Sequence, residues 1–150
     1  MSESVSMGDY KSTTSNILKG QLKWAGDLTF QGRTQRGYEL DFDGKVEWGC
    51  APTEALLLSL AGCMAIDVVS ILQKQRVELE SFKVDISGER NPAPPQYFTS
   101  IHIILRLAGK DIDRKKVDRA IELSQEKYCS VRHTLRPDIE ITIEAVIGKE

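Results

Sequence analysis

One stretch constrains the fold more than any other. From Ala55 to Val69 nearly every residue is apolar or small, and Asp67 carries its one charge. Pro52 suits a first helical turn because its missing N–H needs no partner there, so the spacing predicts a helix over about Thr53 to Lys74. A helix that is apolar nearly all round must be covered on most sides. The chain has 150 residues, enough for one ordinary domain and little more. Such a helix therefore predicts burial against a partner subunit as well as against its own sheet. With Asp67 and several small residues inside it, the run Ala55 to Leu72 reads as a core helix and not as a membrane span.

The flanking segments supply strands. Leu22, Trp24, Leu28 and Phe30 alternate with Lys23, Ala25, Asp27 and Thr29, the pattern of one half-buried strand. Gln31 to Gln35 interrupts it, and Tyr38, Leu40 and Phe42 resume it. Asp43-Gly44 then predicts a tight hairpin turn, with Val46 and Trp48 on the returning strand. Beyond the helix, Phe82, Val84 and Ile86 mark one strand, and Thr99, Ile101, Ile103, Leu105 and Leu107 another. Asn91-Pro92-Ala93-Pro94-Pro95 between them is too rich in proline for a ladder and predicts an exposed loop. Asp113 is placed to cap a second helix, with Val117, Ala120, Ile121, Ser124 and Tyr128 on one face. Arg136-Pro137 ends whatever follows, and Ile139, Ile141, Ile143 and Ala145 form a last strand. The order β-β-β-α-β-β-α-β predicts an α+β fold, mostly antiparallel, with segregated helices. Residues 1–20 are expected to be a flexible N-terminal segment and residues 21–150 a single domain.

Composition excludes several functions. Hydrophobic residues at 41% and charged residues at 28% describe a globular chain. A net charge of -2 without a basic cluster gives no footprint for nucleic acid. The polar stretch Met1 to Asn16 has no apolar core of a secretory signal, so a cytoplasmic location is expected, with no membrane partner. The three cysteines should then rest as thiols, and their odd number argues against a disulfide framework. Neither a glycine-rich phosphate loop nor a nucleophile-elbow serine occurs. There is no CxxC, and Cys129 with His133 offers at most two ligands where zinc needs three or four. No metal or other cofactor is expected. Asp41 and Asp43 read as a solvated strand face and its turn residue, and His102 as a partly exposed strand residue.

Cys63 and Cys129 are left as candidates. Cys63 lies in Leu60-Ala61-Gly62-Cys63-Met64-Ala65-Ile66-Asp67, where small neighbours leave room for a ligand to approach over Gly62. A reactive Cys63 needs a cation or donor that favours its thiolate; without one it is a small buried hydrophobe. Lys127, Arg132 and His133 flank Cys129, which predicts a cationic setting that favours its thiolate. Cys50, in Gly49-Cys50-Ala51-Pro52, has no partner at a recognisable spacing and reads as a bystander.

Taken in order, these segments resemble the OsmC/Ohr superfamily. Ala51 to Leu58 running on to Ala61 through Val69 is similar to the central helix of OsmC-like proteins. Gly88-Glu89-Arg90, Phe98-Thr99-Ser100-Ile101, Ala120 through Ser124 and Glu126 through Val131 also match, from roughly Leu22 onward. The resemblance implies an intertwined homodimer whose sheets wrap two central helices. It also implies reduction of organic hydroperoxides by two cysteines: Cys63 attacks, becomes a sulfenic acid, and is resolved by Cys129. A dithiol or lipoyl-type reductant would reopen the disulfide. Arg33 or Arg36, both near the family's arginine position, would orient the thiolate, paired with a glutamate ahead of the cysteine. In the hydroperoxide-resistance branch that glutamate stands at the position of Thr53, whereas here Glu54 follows it. At roughly 100° and 1.5 Å per residue, a regular helix sets Glu54 opposite Cys63 and about 13 Å away. Glu54 therefore has two readings, a site residue or a first-turn carboxylate facing the helix dipole. The offset keeps open an alternative function, a non-enzymatic redox-sensing or small-molecule-binding protein.

Overall fold

A computed structural model describes residues 16–148, so most of the expected flexible segment 1–20 lies outside the described residues. The described residues form two compact units, 16–56 and 57–148.

In the first unit β1 (Gly20–Gly26), β2 (Thr29–Thr34) and β3 (Glu39–Asp43) make an antiparallel sheet in that order. The alternation from Leu22 to Phe30 is a hairpin and not one strand. The chain reverses through Gly26 at φ +109° and Asp27 at φ +48°, and Trp24 comes to lie opposite Phe30. The stretch Gln31 to Gln35, expected as an interruption, supplies most of β2. Its glycine suits the strand, because a Cβ on Gly32 would run into the Leu40 carbonyl oxygen.

The hairpin expected at Asp43-Gly44 does not form. The Asp43 carboxylate instead accepts the N–H groups of Lys45 at 2.8 Å, Glu47 at 3.1 Å and Trp48 at 3.0 Å. Donors needed for a returning ladder are thus satisfied locally, in the manner of an Asx turn. Val46 and Trp48 stay exposed, and one isolated bridge joins Phe42 to Cys50.

Helix α1 (Pro52–Lys74) begins in this unit and continues into the second. There β4 (Glu78–Arg90), β5 (Phe98–Lys110) and β6 (Glu140–Ile147) form a sheet in that order. β4 and β5 are antiparallel, whereas β5 and β6 are parallel, with Ile103 opposite Ile143. A parallel return needs a long crossover, which the helical segment between β5 and β6 provides. By length and apolarity α1 is able to cross a membrane. Here, however, Leu60, Met64, Val68 and Leu72, four residues apart, are fully buried in a core shared with Ile103 and Leu105 of β5. Each such side chain contributes about 1.5–3 kcal/mol on burial. Leu58 and Ile66 of α1 are exposed.

Helix α2 (Arg114–Leu123) starts as expected, its Lys115 N–H donating to the Asp113 side chain at 2.9 Å. A π-helical turn, Ser124–Tyr128, follows; Cys129 then leads into the short helix α3 (Ser130–Thr134).

Candidate functional site

The second unit brings Cys63 and Cys129 together. Cys63 is half-buried on α1, and Asp67, one turn later on the same face, is fully buried. Cys129, also fully buried, sits at the junction of the π turn and α3. The two sulfurs and a carboxylate oxygen of Asp67 all lie within 4.8 Å of one another.

Ser124 positions both of the buried partners. Its Oγ donates to Asp67 Oδ2 at 3.0 Å, and its carbonyl accepts the Cys129 N–H at 2.9 Å, the five-residue spacing of the π turn. Such turns are rare and recur at functional sites. The Arg132 N–H donates to Cys129 Sγ at 3.4 Å.

Hydrogen bonding to Cys63, followed by burial, holds the Cys129 thiol well above the usual thiol range; the negative Asp67 pushes the same way. The Arg132 N–H opposes this without overcoming it. Together these causes favour the thiol form of Cys129, opposite to the thiolate expected from Lys127, Arg132 and His133. Burial removes it from solvent, and the Lys127 ammonium lies over the Tyr128 ring, 5.3 Å from its centroid. At Gly62, the residue before Cys63, an added Cβ would meet nothing within 4 Å.

The remaining sequence candidates lie in the first unit. Arg33 on β2 donates to Asp41 Oδ1 at 2.7 Å and lies 3.6 Å from Glu39, and the Asp41 hydrogen bond raises its guanidinium further above the usual range. Arg36 is exposed in the turn after β2. Glu54 makes the glutamate half of a capping box: its Oε1 accepts the Ala51 N–H at 2.8 Å, with α1 helical from Pro52. Cys50 Sγ donates to the Asp41 carbonyl at 3.6 Å. Outside that unit, His102 on β5 meets Thr142 Oγ1 through Nδ1 at 2.6 Å.

Sequence reasoning missed the site roles of Asp67 and Ser124. The signal was present in both: each is a polar residue on an otherwise apolar helical face, and buried polar groups find one another.

A sheet-and-helix α+β fold with one half-buried and one buried cysteine side by side defines the class of protein, and comparison with known proteins defines the family. The model for OsmC-like protein matches residues 42–144. Protein YhfA of Escherichia coli (strain K12) is 38% identical over 126 residues, covering 83% of this chain and 94% of that one. A hypothetical protein from Aquifex aeolicus VF5 superposes with a TM-score of 0.82 at 31% identity, covering 91% of this chain and 99% of its own. The organic hydroperoxide resistance protein OhrB of Bacillus subtilis shares the fold at 17% identity, TM-score 0.59, covering 87% and 98%. The chain belongs to the OsmC-like protein family.

Proposed function

We propose that this protein is a two-cysteine thiol peroxidase for organic hydroperoxides. The observation that carries the reading is the meeting of Cys63 and Cys129, distant in sequence, with sulfurs within 4.8 Å. A donor thiol favours negative charge on the sulfur that accepts from it. A protonated Cys129 beside the more accessible Cys63 therefore suits Cys63 as nucleophile. Its thiolate attacks the distal peroxide oxygen; the S–O bond forms, the O–O bond breaks, and the alkoxide takes a proton from water and leaves as an alcohol. Cys129 sulfur then attacks the sulfenic acid at Cys63. The disulfide forms as hydroxide departs with the Cys129 proton as water. A dithiol or lipoyl-type reductant returns two electrons and two protons.

The assembly in this reading is a cytoplasmic homodimer, with one OsmC-like domain per chain from about residue 21. Exposed Leu58 and Ile66 on α1, and exposed Leu22, Trp24 and Leu40 on the first sheet, support a covering partner. Arg33 or Arg36 supplies fixed positive charge as the leaving oxygen gains negative charge. Replacing each with Met should slow Cys63 alkylation in one variant; unchanged rates in both would remove the arginine from the account. Hydroperoxide resistance proteins among the structural neighbours add support at the level of the fold.

One observation favours a redox sensor as the second reading. The Glu54 carboxylate accepts the Ala51 N–H at the helix cap, a role independent of any arginine at the thiols. A steady-state assay with cumene hydroperoxide and several dithiols separates the two. Repeated turnover marks the enzyme, and a single oxidation that stops marks the sensor.

A further inference from the structure

Two thiols and a carboxylate from two segments distant in sequence, α1 and the end of the π turn, converge in the second unit. We propose that the reduced Cys63–Asp67–Cys129 cluster is a binding site for a divalent cation of the zinc class. Two sulfurs and one carboxylate oxygen would hold the ion, with water completing a tetrahedron. Counting ligands along the sequence considers only Cys129 with His133; the third ligand arrives through the packing of α1 against the π turn.

Geometry carries the proposal. Zinc binds sulfur at about 2.3 Å and carboxylate oxygen at about 2.0 Å, which sets tetrahedral ligand atoms about 3.5–3.8 Å apart. Ligand atoms already within 4.8 Å need to close by no more than about 1.3 Å. The donor set selects the ion: thiolates favour zinc and its borderline neighbours over magnesium or calcium, which prefer oxygen cages. Outer partners are also in place. Ser124 Oγ donates to Asp67 Oδ2 and the Arg132 N–H to Cys129 Sγ, the kind of support that orients metal ligands. Asp67 and Cys129 are buried, while half-buried Cys63 gives a route of entry from solvent. On binding, both thiols release their protons to solvent as the two S–metal bonds form.

The inference does not rest on the peroxidase reading. It uses the same sulfurs in the same reduced state, so a bound ion and attack on peroxide exclude each other. The test is titration of the reduced, metal-free full chain with Co2+ alone. One Co2+ per chain is expected, with strong tetrahedral visible bands and a thiolate-to-cobalt charge-transfer band, both removed by added Zn2+. Cys63→Ser and Cys129→Ser should each weaken the charge-transfer band. Asp67→Asn should lower affinity by about tenfold or more, since changes to outer-shell groups alone cost 10–100-fold. If circular dichroism shows Asp67→Asn unfolded, Cys63→Ser at its half-buried position and Ser124→Ala decide the matter. Absence of charge transfer in the reduced wild type, or an unchanged band in Cys63→Ser, overturns the proposal. Peroxide turnover measured on the same sample keeps the readings apart. Cobalt binding without turnover sinks only the peroxidase, and turnover without cobalt binding sinks only the metal site.

Discussion

The two compact units use the same period-two alternation with opposite outcomes. In residues 57–148, Ile103 and Leu105 of β5 are fully buried. In residues 16–56, Leu22, Leu40 and Trp24 stand on adjacent rows of one sheet and remain exposed, Trp24 at 66%. Alternation therefore identifies which side chains share a face without saying what covers that face. Inside one chain the answer for β5 is α1 and α2; for the first sheet the proposed answer is a second copy.

The largest effect should come from the covered face. Leu105→Ala removes a fully buried side chain and should cost about 2–5 kcal/mol in denaturant unfolding. Trp24→Ser should leave the subunit folded yet shift the dimer toward monomer by light scattering. A wild-type chain that scatters as a 16.8 kDa monomer at micromolar concentration would break the comparison. Ser124→Ala comes next. It removes the buried side-chain hydrogen bond to Asp67 and should cost about 1–3 kcal/mol in denaturant unfolding, while the Cys129 amide keeps its bond to the backbone carbonyl of residue 124. Glu54→Ala removes the carboxylate that accepts the Ala51 N–H at the start of α1, an effect of about 0.3–1.5 kcal/mol that thermal unfolding detects.

The smallest effect is a pH dependence in the first unit. N–H donation from Lys45, with that from Trp48 and Glu47, holds the Asp43 carboxyl below the usual carboxylate range. A carboxyl depressed in the folded state stabilises above its unfolded value and loses that contribution as pH falls through the folded value. Amide protection over 45–48 should therefore persist through mildly acidic pH and fade only below the ordinary carboxylate range. Asp43→Asn should remove this pH dependence; a wild-type loop that opens near neutrality would contradict it.

Much of the second unit was legible in the sequence because its signals are local. The Asp113 cap, the apolar α1 and the β5 alternation each declare themselves within a few residues. The first hairpin was not legible, because the turn through Gly26-Asp27-Leu28 leaves Leu22, Trp24, Leu28 and Phe30 on even positions and the alternation never falters. Nor was the loop around Asp43, where a side chain does the work a hairpin turn was expected to do. The parallel pairing of β6 depends on the path of the crossover, which periodicity does not encode. At the site, both cysteines were legible through family resemblance. Asp67 was visible as a lone charge in an apolar helix, but its meeting with Cys129 depends on packing and on the π turn.

The central claim is that Cys63 attacks and Cys129 resolves, and intact-mass analysis after organic hydroperoxide tests it most directly. Cys63→Ser should consume no peroxide and gain no mass, because a hydroxyl lacks the thiolate's nucleophilicity. Cys129→Ser should consume one equivalent per subunit and carry a trappable sulfenic acid at Cys63 that over-oxidises with excess peroxide. Cys50→Ser should behave as wild type and close a Cys63–Cys129 disulfide. Equal loss in both Cys63→Ser and Cys129→Ser, with no sulfenic acid in the latter, would contradict the assignment.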